Sequence, residues 1–241
     1  MERQVYTDHV LYEDTHWWFV SRRAIIKGVL DRYCRKRRQN MILEIGCGSG
    51  GNLEMLSQYG RLFAVELDDK VRQIALDRNL CVVREGDLPN NLPFQELFDV
   101  ICTFDVVEHI DDDIGAVLAI AKKLSSGGKL IITVPAYAFL WSSHDVVNQH
   151  KRRYTRKQLV NLVKSAGLTV EYVTYFNFFL FPLVLIGKIL NNISGSKKSH
   201  LEQGTSSVQN SILRTIFSFE KRLVPKLVFP FGVSILLVAR K

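Results

Sequence analysis

The segment Met41-Ile42-Leu43-Glu44-Ile45-Gly46-Cys47-Gly48-Ser49-Gly50-Gly51 constrains the fold more than any other part of the chain. A short apolar run passes straight into clustered glycines and then into a helix-forming stretch at 52–59, the signature of a strand–turn–helix unit. Glycines let the backbone turn tightly and let a ligand come close to a helix N-terminus. The same rhythm continues downstream, with strand-like runs at 62–65, 81–83, 98–102 and 129–134 and helical stretches at 71–78 and 114–124. Strands alternating with helices of this length imply an α/β fold with a parallel sheet covered on both faces.

The 241 residues suffice for one domain with decorations. Residues 1–40 read as a helical N-terminal extension or cap, which carries His16-Trp17-Trp18-Phe19 and ends in the basic run Arg35-Lys36-Arg37-Arg38. Residues 41–177 read as the core, and 232–241 as its last strand, since 156–166 has a helical period closed by Gly167 while 168–175 and 233–239 are β-rich. Between them, 178–231 is a hydrophobic helical insertion.

The insertion opens with an apolar run at 178–186, too short to span a bilayer and broken by Pro182, Gly187 and Lys188. A polar stretch at 191–209 follows, then a helix at 211–224. That helix sets Ile212, Ile216, Phe219 and Leu223 on one stripe and Arg214, Lys221 and Arg222 largely off it, which suits lying in a membrane interface. The alternative is packing as a lid over an acceptor site or against a second subunit, as a homodimer. A net charge of +8 favours an anionic partner, such as a phospholipid surface, a phosphate-bearing substrate or nucleic acid. Nucleic acid is not expected, because the basic residues form no stripe with interleaved aromatics. The four cysteines, at 34, 47, 81 and 102, show no CxxC pair and no metal-ligand rhythm, so no metal is assigned and a reducing compartment is expected. Without an apolar leader after Met1, the reading is cytoplasmic, peripheral at the inner face of the membrane.

Gly46, Gly48 and Gly51 satisfy the dinucleotide pattern G-x-G-x-x-G, and Glu66 lies about twenty residues on, as a ribose-binding acid should. Charge separates two ligand classes. A dinucleotide brings a pyrophosphate, which wants helix N–H groups and no carboxylate nearby. S-adenosylmethionine brings a sulfonium and an ammonium, which Glu44 just before the loop suits. Asp87, in Glu85-Gly86-Asp87-Leu88, is a third acid after a third strand.

In order and spacing, ILEIGCGSG, AVELD, EGDL, FDVICTFDVVEHI and LSSGGKLIITVP resemble the successive motifs of class I S-adenosylmethionine-dependent methyltransferases, over residues 41–135. The resemblance implies a Rossmann-like, seven-stranded, mostly parallel sheet with helices on both faces. It also implies a C-terminal antiparallel β-hairpin, which here carries the long insertion. Glu44, Gly46, Gly48 and Gly50 are expected around the methionine part, Glu66 at the ribose, Asp87 and Leu88 at the adenine, and Phe104 and Asp105 beside the methyl group. The segment His16-Trp17-Trp18-Phe19-x-x-Arg22-Arg23 and the H-x-R-R-Y-T stretch at 150–155 are similar to features of a bacterial subgroup in which the N-terminal helix closes over the cofactor. A plain core-packing role for Trp17 and Trp18 is the alternative.

Methyl transfer needs alignment above all. It needs a base only where the acceptor must lose a proton. Histidine titrates near neutrality, so His109, after the fourth strand, and His144 and His150, after the fifth, are the candidate catalytic residues. Glu108-His109 alternatively opens a helix for structural reasons. Arg152 and Arg153 either clamp an acidic acceptor or sit in a solvated turn before a helix capped by Thr155. The expected activity is methyl transfer to a small or lipid-linked acceptor at a membrane surface. An NAD(P)-dependent oxidoreductase and a catalytically inactive membrane-associated binding protein are the rival readings.

Overall fold

In the computed structural model, which describes residues 12–194 and 206–241, the apolar runs of the core become strands. These are β1 (Met41–Ile45), β2 (Arg61–Val65), β3 (Val82–Arg84), β4 (Phe98–Phe104), β5 (Leu124–Pro135), β6 (Thr169–Phe176) and β7 (Ser234–Arg240). They form one sheet in the order β3-β2-β1-β4-β5-β7-β6. The first five are parallel, and β7 runs antiparallel to both β5 and β6. The architecture is the Rossmann-like sheet with a terminal antiparallel hairpin that the sequence led us to expect.

Central strands of such a sheet are covered on both faces, so they read as unbroken apolar runs. Residues 42–45 and 62–65 are accordingly buried throughout. Ile45 pairs with Val65 on one side and Thr103 on the other, and Phe104 pairs with Thr133. The carboxyl ends of β1, β2, β4 and β5 therefore finish level along one edge. The strand order reverses between β1 and β4, and ligand crevices open at such a switch point.

The helices of the core are α2 (Leu53–Ser57), α3 (Asp69–Asp77), α4 (Asp113–Lys123), α5 (Ser143–Val147) and α6 (Arg156–Ser165). Several differ at their ends from the sequence reading. Helix α3 starts two residues early because the Asp68 side chain caps it, accepting from the N–H groups of Lys70 and Val71. Strand β5 begins at Leu124, where the chain leaves α4, and pairs with Phe98 before a register shift. At α6 the Thr155–Gln158 capping box forms as its spacing suggested.

The N-terminal extension and the insertion form one helical layer. Helix α1 (Trp17–Tyr33) packs along α8 (Ser207–Phe219) and the 3₁₀ turn Glu220–Arg222 that follows it. Ser21 Oγ lies 2.8 Å from Ser218 Oγ, and the Trp17 N–H donates to Asn210 Oδ1 at 2.7 Å. The Trp17 ring meets Phe217 edge-on at 5.9 Å, and Phe217 stacks on Phe176 of β6.

Helix α7 (Phe181–Ser194) runs through Pro182, Gly187 and Lys188, which the sequence reading took as interruptions. Pro182 sits in the first turn, where a backbone N–H has no intrahelical partner to lose. Helix α8 starts at Ser207, four residues before the expected position, because Ser206 and Gln209 form a capping box. Of the polar stretch at 191–209, residues 195–205 lie outside the described residues.

Glu220 ties the two ends of the insertion together. Its buried carboxylate accepts from the N–H groups of Asn177 and Phe178, both at 2.7 Å, and Phe179 at 3.1 Å. Burial raises its carboxyl to about 6, opposed by those three donors. Glu220→Ala leaves three inward-facing N–H groups without an acceptor and should cost about 2–4 kcal/mol in a denaturant titration, with Glu220→Gln losing less. An alanine variant with the parent's midpoint would remove Glu220 from this role.

Candidate active site at the switch point

The glycine loop leaves β1 at Gly46, whose φ is +71° and where a Cβ would stand 2.5 Å from the Val106 side chain. The N–H groups of Gly46 and Cys47 both donate to the Val65 carbonyl, at 2.9 and 3.1 Å, which folds the loop across the end of β2. Beside the loop, Glu44 is buried at 1% exposure. Its Oε1 accepts from Asn52 Nδ2 at 2.8 Å, but Oε2 has no partner among the described residues. Burial pushes this carboxyl up to about 8; the Asn52 bond and Arg22 pull it down, while Glu66 and Glu13 push the same way as burial.

Glu66, just past β2, accepts from the backbone N–H groups of Gly48 at 2.8 Å, Leu67 at 2.9 Å and Asp68 at 3.0 Å. The acid expected at the ribose thus braces the glycine loop in this state. Gly48 and Gly50 adopt positive φ within that loop. Asp87 is half-buried after β3, its backbone bridged to Asn91, and Leu88 beside it is buried.

At the end of β4, Phe104 is buried and Asp105 takes a φ of +57°. A non-glycine residue held there stores local strain of the kind found at functional sites. The Asp105 carboxylate accepts from Arg22, which reaches across from α1, and from Thr133 Oγ1 at 3.2 Å. The Arg22 guanidinium also lies 4.9 Å from the centre of the Trp18 ring and 5.5 Å from that of Phe104.

A second strap comes from Glu13, which accepts from Ser49 Oγ at 2.8 Å and pairs with Arg78. Its Oε2 stands 2.4 Å from where a Cβ on Gly51 would lie, so the third glycine of the motif leaves room for this carboxylate. Burial raises the Glu13 carboxyl, against the Ser49 bond and Arg78. The sequence had marked Arg22 within its aromatic-basic motif but gave no signal for Glu13 or Arg78, whose partners are distant along the chain.

Beyond Asp105, the 3₁₀ turn Val107–His109 brings His109 against His150, with ring centres 4.7 Å apart, and His144 lies 6.1 Å from His150. The structure thus gathers the three candidate histidines. Burial, helped by the neighbouring His150, lowers His109 to about 4, so it stays neutral near pH 7. His150 Nδ1 lies 2.8 Å from Asp145 Oδ1. Burial alone would raise the Asp145 carboxyl, yet His150 and Arg153 hold it well below the usual carboxylate range. Arg153 grips Asp145 through two bonds of 2.7 and 2.8 Å, and Arg152 pairs with Asp113 at 2.9 Å. Both arginines considered as an acceptor clamp are therefore engaged within the protein. Their bonds hold the 150–155 loop in place.

Comparison with known proteins gives the family and the fold. A family model described as a methyltransferase domain matches residues 16–173, from the start of α1 into β6. A Mycolicibacterium smegmatis protein, named as a probable S-adenosylmethionine-dependent methyltransferase, is 26% identical over 166 residues, covering 67% of this chain and 62% of that protein. Phosphoethanolamine N-methyltransferase 1 of Zea mays is 30% identical over 99 residues, 38% of this chain and 20% of that protein. The chain thus spans less than two thirds of the length of these curated relatives. Geranyl diphosphate C-methyltransferase of Streptomyces coelicolor A3(2) superposes with a TM-score of 0.63 at 13% identity, over 92% of this chain and 80% of that one. Phosphoethanolamine N-methyltransferase 2 of Haemonchus contortus, in complex with S-adenosyl-L-methionine, gives 0.60 at 19% identity, over 88% and 51%. The fold is shared with both. With the family model matched over more than half of its length, the chain belongs to the methyltransferase domain family.

Proposed function

We propose that this chain transfers a methyl group from S-adenosylmethionine to a small or lipid-linked acceptor at the cytoplasmic surface of a membrane. The observation that carries the reading is the buried Glu44 carboxylate with an unpartnered oxygen, in a neighbourhood that also holds Glu66 and Glu13. Such a group calls for a cationic ligand. Three acids there would repel a pyrophosphate, which argues against the NAD(P) reading.

When bound, the cofactor supplies a methyl carbon activated by its sulfonium leaving group. Glu44 with Gly46, Gly48 and Gly50 holds the charged methionine part, while Asp87 and Leu88 flank the adenine. Glu66 exchanges its bond to the Gly48 N–H for the ribose hydroxyls. Phe104 and Asp105 border the methyl group. Arg22, through Asp105, keeps α1 over that end of the crevice and excludes water. His109, His144 and His150 stand on the acceptor side as the candidate bases for an acceptor that must lose a proton.

The Glu44 carboxyl fixes a pH dependence. Its pKa is raised on folding from an ordinary 4.5 to about 8, so its contribution to stability is complete below 4.5 and is lost as pH rises toward 8. The ligand-free protein should therefore lose stability across that window, and Glu44→Gln should flatten the loss. Calorimetry with S-adenosylhomocysteine should show micromolar binding, weakened at least about tenfold, or ~1.4 kcal/mol, by Glu66→Ala and by Glu44→Gln. Binding of NADH and none of S-adenosylhomocysteine would sink the cofactor assignment. Binding of neither would favour an inactive relative.

Membrane contact rests on the insertion. Among the described residues no helix is long and apolar enough to cross a membrane. Leu183, Ile186, Ile189 and Leu190 of α7 are nonetheless exposed, as are Ile212 and Phe219 of α8 and Leu227 and Val228 beyond it. Exposed Lys221, Arg222 and Lys226 flank them. Apolar side chains rimmed by cations suit an anionic lipid surface. Flotation should recover the protein with phosphatidylglycerol vesicles and far less with phosphatidylcholine, and Leu183→Asp with Ile186→Asp should abolish recovery. Unchanged flotation of that variant, or a stable dimer in solution that covers α7, would turn the reading toward a lid or dimer face.

A further inference from the structure

Glu108 is completely buried in the 3₁₀ turn after β4, and neither of its carboxylate oxygens has a hydrogen-bond partner among the described residues. A carboxyl buried in this way stays neutral, or ionises where a cation is bound to meet it. Glu108, His109 and His150 each offer one ligand atom, and those atoms lie within 4.8 Å of one another.

The surroundings prepare both imidazoles for coordination. With His150 Nδ1 engaged at Asp145, its Nε2 is left with the lone pair. Asp145 is fixed in turn by the Arg153 fork and by the Ser142 N–H at 2.8 Å. The His109 ring hydrogen-bonds the backbone of Gln149, which commits one of its nitrogens and leaves the other. A carboxylate or carbonyl behind each imidazole is the usual support for a metal-binding histidine. The Lys151 N–H donates to the Glu108 carbonyl at 2.8 Å and pins the His150 loop to the turn. Arg153 is committed to Asp145 through both of its bonds, so among the described residues no side chain hydrogen-bonds the Glu108 carboxyl.

We propose that Glu108, His109 and His150 form a binding site for a divalent transition-metal ion, with open coordination positions for an oxygen of the methyl acceptor. Two imidazoles and one carboxylate suit zinc, manganese or iron(II) and leave exchangeable positions. The site begins three residues past Asp105. A metal there fixes an acceptor oxygen close to the methyl group and makes a coordinated hydroxyl more acidic. The acceptor role rests on the methyltransferase reading; the metal site itself does not.

The test uses the full chain, stripped with a chelator and titrated with Co(II), Zn(II) and Mn(II). One equivalent of Co(II) per chain, with a visible absorption band, is expected. Glu108→Gln and His150→Asn should each abolish that band. Asp145→Asn should weaken binding by roughly 10–100-fold. Glu108→Gln is isosteric, so it should fold, and its binding of S-adenosylhomocysteine should match the parent's. No stoichiometric binding by the parent, or equal binding by both ligand variants, would overturn the site. Metal binding without any affinity for S-adenosylhomocysteine would instead fault the methyltransferase reading and leave the metal site standing.

Discussion

The level ends of β1 and β4, lying side by side where the strand order reverses, govern the rest of the molecule. Each strand there delivers an acid or a short turn into one crevice. Glu44 comes at the end of β1, Glu66 just past β2, and Asp105 and Glu108 just past β4. Carboxylates gathered this closely destabilise a fold unless donors or cations meet them. The backbone meets Glu66 with three N–H groups, and Arg22 and Thr133 meet Asp105. Among the described residues, Glu44 keeps one oxygen without a hydrogen-bond partner and Glu108 keeps two. That division separates acids engaged within the protein from acids with an oxygen still open to a donor or a cation.

The core was legible in the sequence because its signals are local. A buried parallel strand is apolar along most of its length, and a tight turn with positive φ favours glycine, as at Gly46, Gly48 and Gly50. Capping was legible for the same reason at Thr155, and it explains the late start assigned to α8, since Ser206 and Gln209 fall in a stretch whose polarity reads as loop. Pro182 and Gly187 misled because the sequence shows that they disfavour helix interiors, but not that Pro182 falls in the first turn.

Long-range contacts left no comparable trace. The sequence set Arg152 and Arg153 in a histidine-rich loop without indicating that Asp145 and Asp113 would engage them. Glu13 sits in an unremarkable polar stretch, and only its approach to Gly51 and Ser49 gives it a role. Glu108 and His109 are adjacent, while His150 comes from beyond β5. No spacing rule joins the three.

Helix α1 faces two ways, and this couples parts of the chain that are far apart in sequence. One face presents Arg22 to Asp105 over the crevice. The other presents Trp17 and Ser21 to α8, with contacts to Phe217, Asn210 and Ser218. Glu220, at the end of α8, grips the backbone at 177–179 where the insertion begins. Any motion of α1 that opens the crevice must therefore either break its seam with α8 or carry α8 along, and with it the exposed Ile212 and Phe219. A buried aromatic edge contact and two inward hydrogen bonds favour the second course, because separating the helices would expose Trp17 and Phe217 to water while leaving polar atoms unpaired. The helix over the candidate crevice and the apolar surface of the insertion are thus joined through one packed seam.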